Sequence, residues 1–419
     1  MVRIAAVGAL ALVLAVAAST IASDSKPENS VFTDREVRIF QSMALSRLSS
    51  PPINPSNAVS DDPRAVEFGK ALFFDPSLSG TGTLSCASCH QPDKAFADGL
   101  RLGEGAGVTD RNTPTLLGVG HLQWFYWDGR RDSLWAQALI PFEATSEMGG
   151  TRVTVVKAIS DNEEYLDMYQ ALFGPFPDLN FGSLPNSASP IGEAEVQNRW
   201  YRLDSSKRQV INRVFSNIGK SIAAYERTLQ PESSRFDRFV EALEKKGERE
   251  ALSLMSESEL LGARLFVDEQ RTQCLQCHNG PLLSNGGFHN IGTGVFQGAA
   301  MDFGRVFGLQ AALMDEFNCY GKYSDADRDE CHHLNYLSKD PHQGLQGAFK
   351  VPTLRYLDQT APYFHDGRFD TLAEVIDYYV SPPTEGRNAV HELRPLELSS
   401  KEKSALIAFL KLFSPSAKQ

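Results

Sequence analysis

The pentapeptide Cys86-Ala-Ser-Cys-His90 has a second copy of its pattern in Cys274-Leu-Gln-Cys-His278. Cys-x-x-Cys-His is the attachment pattern of a c-type haem: two thiols bond the macrocycle and the adjacent His ligates its iron. With 6 Cys and 9 His in 419 residues, chance supplies on the order of 10⁻³ such pentapeptides per chain. Two copies therefore predict two covalently bound haem c groups, with Cys86, Cys89, Cys274 and Cys277 as attachment points and His90 and His278 on iron. A dithiol redox pair needs no following His and does not come in duplicate. A four-Cys zinc site sets its pairs about 15–20 residues apart, and Cys89 and Cys274 are far more distant.

The N-terminus reads as a secretory signal over residues 1–23. Arg3 supplies the charge, and Ile4 to Ala18 is an apolar run ending in small residues. Both Ala15-Val-Ala17 and the stretch Ser19–Ser23 offer cleavage sites. The run is short for a membrane span, and no later segment is long and apolar enough. An exported, periplasmic protein with no membrane span after signal removal is expected. A net charge of −11 argues against nucleic acid. The mature length and the two motifs predict two haem domains, 24–245 and 246–419. Four Cys go to haem. The remaining pair, Cys319 and Cys331, lies in a polar insertion and reads as a local disulfide in an oxidising compartment, with two free thiols as the alternative.

Along the chain, residues 24–60 are rich in Pro, Ser and Asn and read as extended surface. Asp61-Asp-Pro63 reads as a cap with Pro in the first turn. Ala65, Phe68, Leu72 and Phe73 continue at helical spacing. Ser133 is expected to cap a short helix that Pro141 stops. Val210, Val214, Ile218 and Ile222 form one stripe of a long helix. Further helices are expected at Arg235–Lys246, Glu257–Phe266, from Thr371 and at Ser399–Phe413. The pattern is poor in strands, so the fold class is mainly α. The one repeat is a helix followed by Cys-x-x-Cys-His.

From about Pro63 to Phe413 the chain resembles the bacterial di-haem cytochrome c peroxidase and MauG superfamily. The resemblance rests on the two ordered haem motifs, Arg111-Asn-Thr-Pro-Thr115, Trp127-Asp-Gly-Arg130, Glu147-Met-Gly149, Phe349-Lys-Val-Pro-Thr-Leu-Arg355 and Ala361-Pro-Tyr-Phe-His-Asp-Gly367. It implies two cytochrome c-like haem domains packed around one calcium ion, held by the Asn112 side chain and the Thr360 and Pro362 carbonyls. Oxygen ligands from loop backbone suit calcium, although each residue taken alone reads as turn chemistry. Ordinary members carry a His in the loop after the first haem. Here none lies between His90 and His121, and His121 reads as a surface or core His. The first haem is therefore expected to be open. Ordinary members ligate the second haem with a Met placed 14 residues after the His of the His-Asp-Gly motif. That position is Tyr379, with Tyr378 as the fallback. A Tyr there is the pattern of the MauG/MbnH-type branch. Periodicity alone would make Tyr379 a core residue facing inward with Leu372, Val375 and Ile376.

The resemblance also implies the chemistry. Glu147 moves the proton during cleavage of hydrogen peroxide, Gln137 donates a hydrogen bond beside it, and Pro141 crowds the open face without ligating. Trp127 relays charge between the haems. Without the family, Glu147 reads as a solvated loop carboxylate and Trp127 as a core aromatic. A phenolate ligand favours oxidised iron, whereas a Met suits electron entry. The leading expectation is a haem peroxidase-type oxidoreductase that oxidises a residue, such as a Trp, of a small exported partner protein. The alternatives are a cytochrome c peroxidase drawing electrons from a small cytochrome or cupredoxin, and a non-catalytic electron carrier.

Overall fold

The computed structural model describes residues 30–296, 300–335, 337, 345–385 and 390–415. The predicted signal segment lies outside them. The fold is mainly α, and the one described sheet pairs Phe288–His289 with Phe349–Lys350 antiparallel, His289 opposite Phe349.

Each haem motif is delivered the same way. Pro63–Phe74 starts at N-cap Asp62 with Pro in the first turn, and Glu257–Val267 starts from a Ser256/Glu259 capping box. Each helix precedes one Cys-x-x-Cys-His and carries a glycine at a tight crossing. A Cβ on Gly69 would strike the Ser221 carbonyl, and one on Gly262 the Ala405 carbonyl. The partners are the long helix Ser205–Glu226 and the closing helix Ser400–Leu410. A side chain at either glycine would push the crossing apart.

Two main hydrophobic cores result. One gathers Phe68, Phe73, Trp135, Phe142, Phe215 and Ile222, with Phe317 and Tyr323 of the insertion added to it. The other gathers Phe236, Phe239, Phe266, Phe409 and Phe413. Phe32, Phe40 and Met43 also belong to the second core. They come from the stretch read as extended. Asp34–Met43 is a helix instead, because Thr33 and Glu36 form a capping box and Phe40 and Met43 bury one face.

Arg355 ties these pieces together. Its guanidinium meets both oxygens of Asp237 at 2.9 and 3.1 Å, and also donates to the carbonyls of Met43 (3.1 Å) and Pro281 (2.5 Å). It is 1% exposed. One side chain thus fixes the first described helix, the helix Arg235–Lys245 and the loop after the second haem motif.

Candidate functional site

The two Cys-x-x-Cys segments form matching single-turn helices, and the backbone of His90 (φ −99°, ψ 76°) repeats that of His278 (φ −99°, ψ 75°). His90 Nδ1 lies 3.0 Å from the Phe96 carbonyl, and His278 Nδ1 lies 3.0 Å from the Leu283 carbonyl. A carbonyl only accepts, so each Nδ1 carries the proton and each Nε2 is left as a lone-pair donor to iron. Burial lowers both imidazole pKa values, that of His278 to about 4, and keeps the rings neutral. Phe96 (φ 57°) and Leu283 (φ 53°) both take the left-handed region to aim these carbonyls. The four motif thiols stay unpaired, whereas Cys319 and Cys331 are joined, with Cα atoms 5.8 Å apart.

Above His278 lies a cavity of about 280 Å³ walled by Phe266, Leu357, Leu372, Ile376, Leu406 and Leu410. Cys274, Cys277 and Tyr379 open onto it. An apolar slot with free thiols and a neutral imidazole fits a covalently attached macrocycle. Tyr378 and Tyr379 differ here. The Tyr378 hydroxyl donates to the Ile291 carbonyl at 2.7 Å. The Tyr379 hydroxyl has no hydrogen-bond partner among the described residues, and its ring rests edge-on to Phe364 and Tyr378. Burial pushes its pKa far above the ordinary phenol range, with the Cys274 and Cys277 thiols pushing the same way. A cation at the hydroxyl would reverse that balance.

The first haem motif faces a different group. Glu147 stands close enough to both thiols for its charge to raise their pKa values, after burial in each case. Burial raises the Glu147 carboxyl, Arg130 opposes this, and Asp110 adds to it. Gln137 Oε1 is buried without a partner among the described residues. Pro141 does not stop its helix, which runs on through Leu134–Glu143. Pro141 has no N–H to give the Gln137 carbonyl, and the Tyr126 hydroxyl donates to that carbonyl instead, at 3.3 Å. The chain then turns back, Met148 N–H to Pro141 carbonyl, which brings Glu147 round. His121 bonds Gln230 through Nε2 at 2.8 Å.

Trp127 belongs to the region of the second haem motif. It is 8% exposed and lines the cavity above His278. Its Nε1 donates to the Asn112 carbonyl at 2.9 Å, and its own carbonyl accepts from Lys350 N–H at 2.7 Å. Its neighbour Tyr126, with φ 66°, reaches back to Gln137 under the Arg130 guanidinium, 3.6 Å above the ring. Sequence reading missed Tyr126 and Arg130, and also Lys350, whose Nζ donates to the Trp124 carbonyl while burial lowers its pKa to about 8. The three expected calcium ligands, Asn112, Thr360 and Pro362, all line the cavity above His278. Asn112 Nδ2 donates to Leu100 at 2.9 Å, which turns Oδ1 away from that carbonyl. Among the described residues no group of three or more His, Cys, Asp or Glu could hold a metal.

Paired motifs, two neutral histidines and an apolar slot define a di-haem c-type oxidoreductase. The family profile for di-haem cytochrome c peroxidase matches residues 63–245. The cytochrome-c peroxidase IdrP2 of Denitromonas iodatirespirans is 32% identical over 353 residues, 83% of this chain and 81% of the relative. Methylamine utilization protein MauG of Methylorubrum extorquens is 30% identical over 350 residues, 83% of this chain and 77% of the relative. The diheme peroxidase BthA from Burkholderia thailandensis shares the fold, with a TM-score of 0.61 at 21% identity over 87% of this chain and 89% of that one. The chain belongs to the di-haem cytochrome c peroxidase/MauG family, an enzyme family whose members imply two c-type haems, hydrogen peroxide and a partner protein. No described helix is long and apolar enough to cross a membrane.

Proposed function

We propose that this enzyme reacts with hydrogen peroxide at an open first haem and passes oxidising equivalents, through a His278/Tyr379 second haem, to a residue of a small exported partner protein in the periplasm. The observation that carries the reading is Tyr379. It lines the slot with Cys274, Cys277 and His278 and keeps its hydroxyl free of described partners, while Tyr378 spends its own on Ile291. When bound, the haems supply iron that peroxide can oxidise and a place to hold the equivalents. The rest falls to side chains. Glu147 takes a proton from the near peroxide oxygen and returns it to the far one, which leaves as water. Gln137 orients the peroxide, Pro141 narrows the face, and Trp127 carries charge between the two sites. Asn112, Thr360 and Pro362 would hold calcium, with 24–245 and 246–419 as the haem domains.

The alternative is a cytochrome c peroxidase, the name carried by the relative at 32% identity. Adding peroxide to the fully oxidised holoprotein without donor separates the two. An altered visible spectrum that persists until a partner is added supports the proposal. Prompt turnover with reduced cytochrome c or a reduced cupredoxin, and no persistent species, contradicts it.

A further inference from the structure

Glu226 closes the long helix Ser205–Glu226, close enough to the first haem motif for its charge to act on the Cys86 thiol. It is 4% exposed, and its Oε2 has no hydrogen-bond partner among the described residues. Buried carboxylates are ordinarily paired, because an unpaired charge in an apolar setting costs several kcal/mol. Other charges around this helix are committed elsewhere. Arg227 pairs with Asp61 at 2.8 Å, Glu143 with Arg152 at 2.9 Å, and His121 bonds Gln230. Arg64, Glu67 and Lys70, on the helix packed against it, are exposed at the surface. The groups that feel the Glu226 charge are its neighbour Tyr225 and the Cys86 thiol, a point of haem attachment; Glu147 reaches the same thiol from the opposing loop. Burial alone raises the Glu226 carboxyl pKa to about 8, so it is neutral at neutral pH in the protein without added charge.

A c-type haem held by Cys86, Cys89 and His90 places beside this carboxyl a group whose charge rises by one when an electron leaves. A nearby positive charge favours the ionised carboxylate. We propose that Glu226 is a redox-linked proton store for the first haem: it keeps its proton while the iron is reduced and gives it up to solvent on oxidation. For each such oxidation, one electron goes to the acceptor and up to one proton goes to water. Glu226 acts through the field at the haem edge and is a positioning residue; peroxide does not touch it. The inference rests on haem attachment at the first motif and is independent of the Tyr379 assignment.

Spectroelectrochemical titration of the holoprotein with mediators, from about pH 6 to about pH 10, tests it. The midpoint potential of the first haem is expected to fall as pH rises, and that of the second haem to stay level. Glu226→Gln flattens the first haem's dependence, whereas Glu147→Gln retains it. A slope unchanged in Glu226→Gln would place the proton elsewhere, on a haem propionate for example, and overturn the proposal. So would a parent protein with no slope. If Glu226→Gln takes up no haem, Glu226→Asp serves: its carboxyl sits further from Cys86, so the centre of the slope must move in pH, and an unmoved centre contradicts the proposal.

Discussion

Glu147 is under opposing influences: burial lifts its carboxyl pKa, Arg130 pulls it down, and Asp110 lifts it again, with the net effect upward. In its proposed role, taking peroxide's proton, it must be ionised. The rate constant for peroxide reaction is therefore expected to fall as pH drops through this raised value, which stopped-flow mixing across pH will show. Glu147→Gln should lower the rate by about 10²–10⁴ and abolish that acid limb. Tyr379→Phe removes the oxygen and leaves the ring, so the second haem should lose its low-spin spectrum with its covalent attachment intact. That Tyr379 would face the second haem motif was legible in the sequence, because register from His365 and an apolar stripe pointed to the same position, and it lines the cavity with Cys274, Cys277 and His278. Tyr126, Arg130 and Glu226 were not. Each acts through a neighbour brought in by folding, and a Glu in a helix carries no mark of whether its partner is missing.

Between elements, buried pairing and close backbone approach set the cost of change. Arg355→Ala would strand Asp237, and about 3–5 kcal/mol of stability should go, read by urea unfolding of the holoprotein. Burial by itself would raise the Asp237 carboxyl, but the Arg355 guanidinium, with Ser234 and Leu45 N–H, holds it below the usual range. Such a depressed carboxyl contributes stability that is present above the unfolded value, about pH 4, and is lost as pH falls through the folded value. Arg355→Ala should remove that acid-side loss. Gly262→Ala, which must force apart the helix pair in front of the second haem, is expected to cost about 1–3 kcal/mol, and Gly69→Ala about as much at the first. The capped helices were readable where Asp62, Thr371 and Ser399 announce their own N-termini. The helix through Pro141 was misread because its rescue, a hydroxyl from Tyr126, comes from outside the helix. The helix Asp34–Met43 was hidden by polar neighbours and justified only by the distant core it joins.

At the scale of the whole molecule, the chain carries two similar haem motifs, and Trp127, at the second, has its ring anchored to Asn112 and its backbone to Lys350. The two motifs made that duplication visible at once. The sequence also predicted that the seats differ, from the missing His after His90 and from Tyr379 in place of a Met. At the first seat stand Glu147 and the unpartnered Gln137 oxygen; at the second, a phenol among leucines. Low-temperature EPR of the fully oxidised holoprotein measures that difference most directly. One high-spin and one low-spin ferric signal of equal weight are predicted, with the low-spin signal alone lost in Tyr379→Phe. Two low-spin signals, or a low-spin signal unchanged in Tyr379→Phe, would contradict the account.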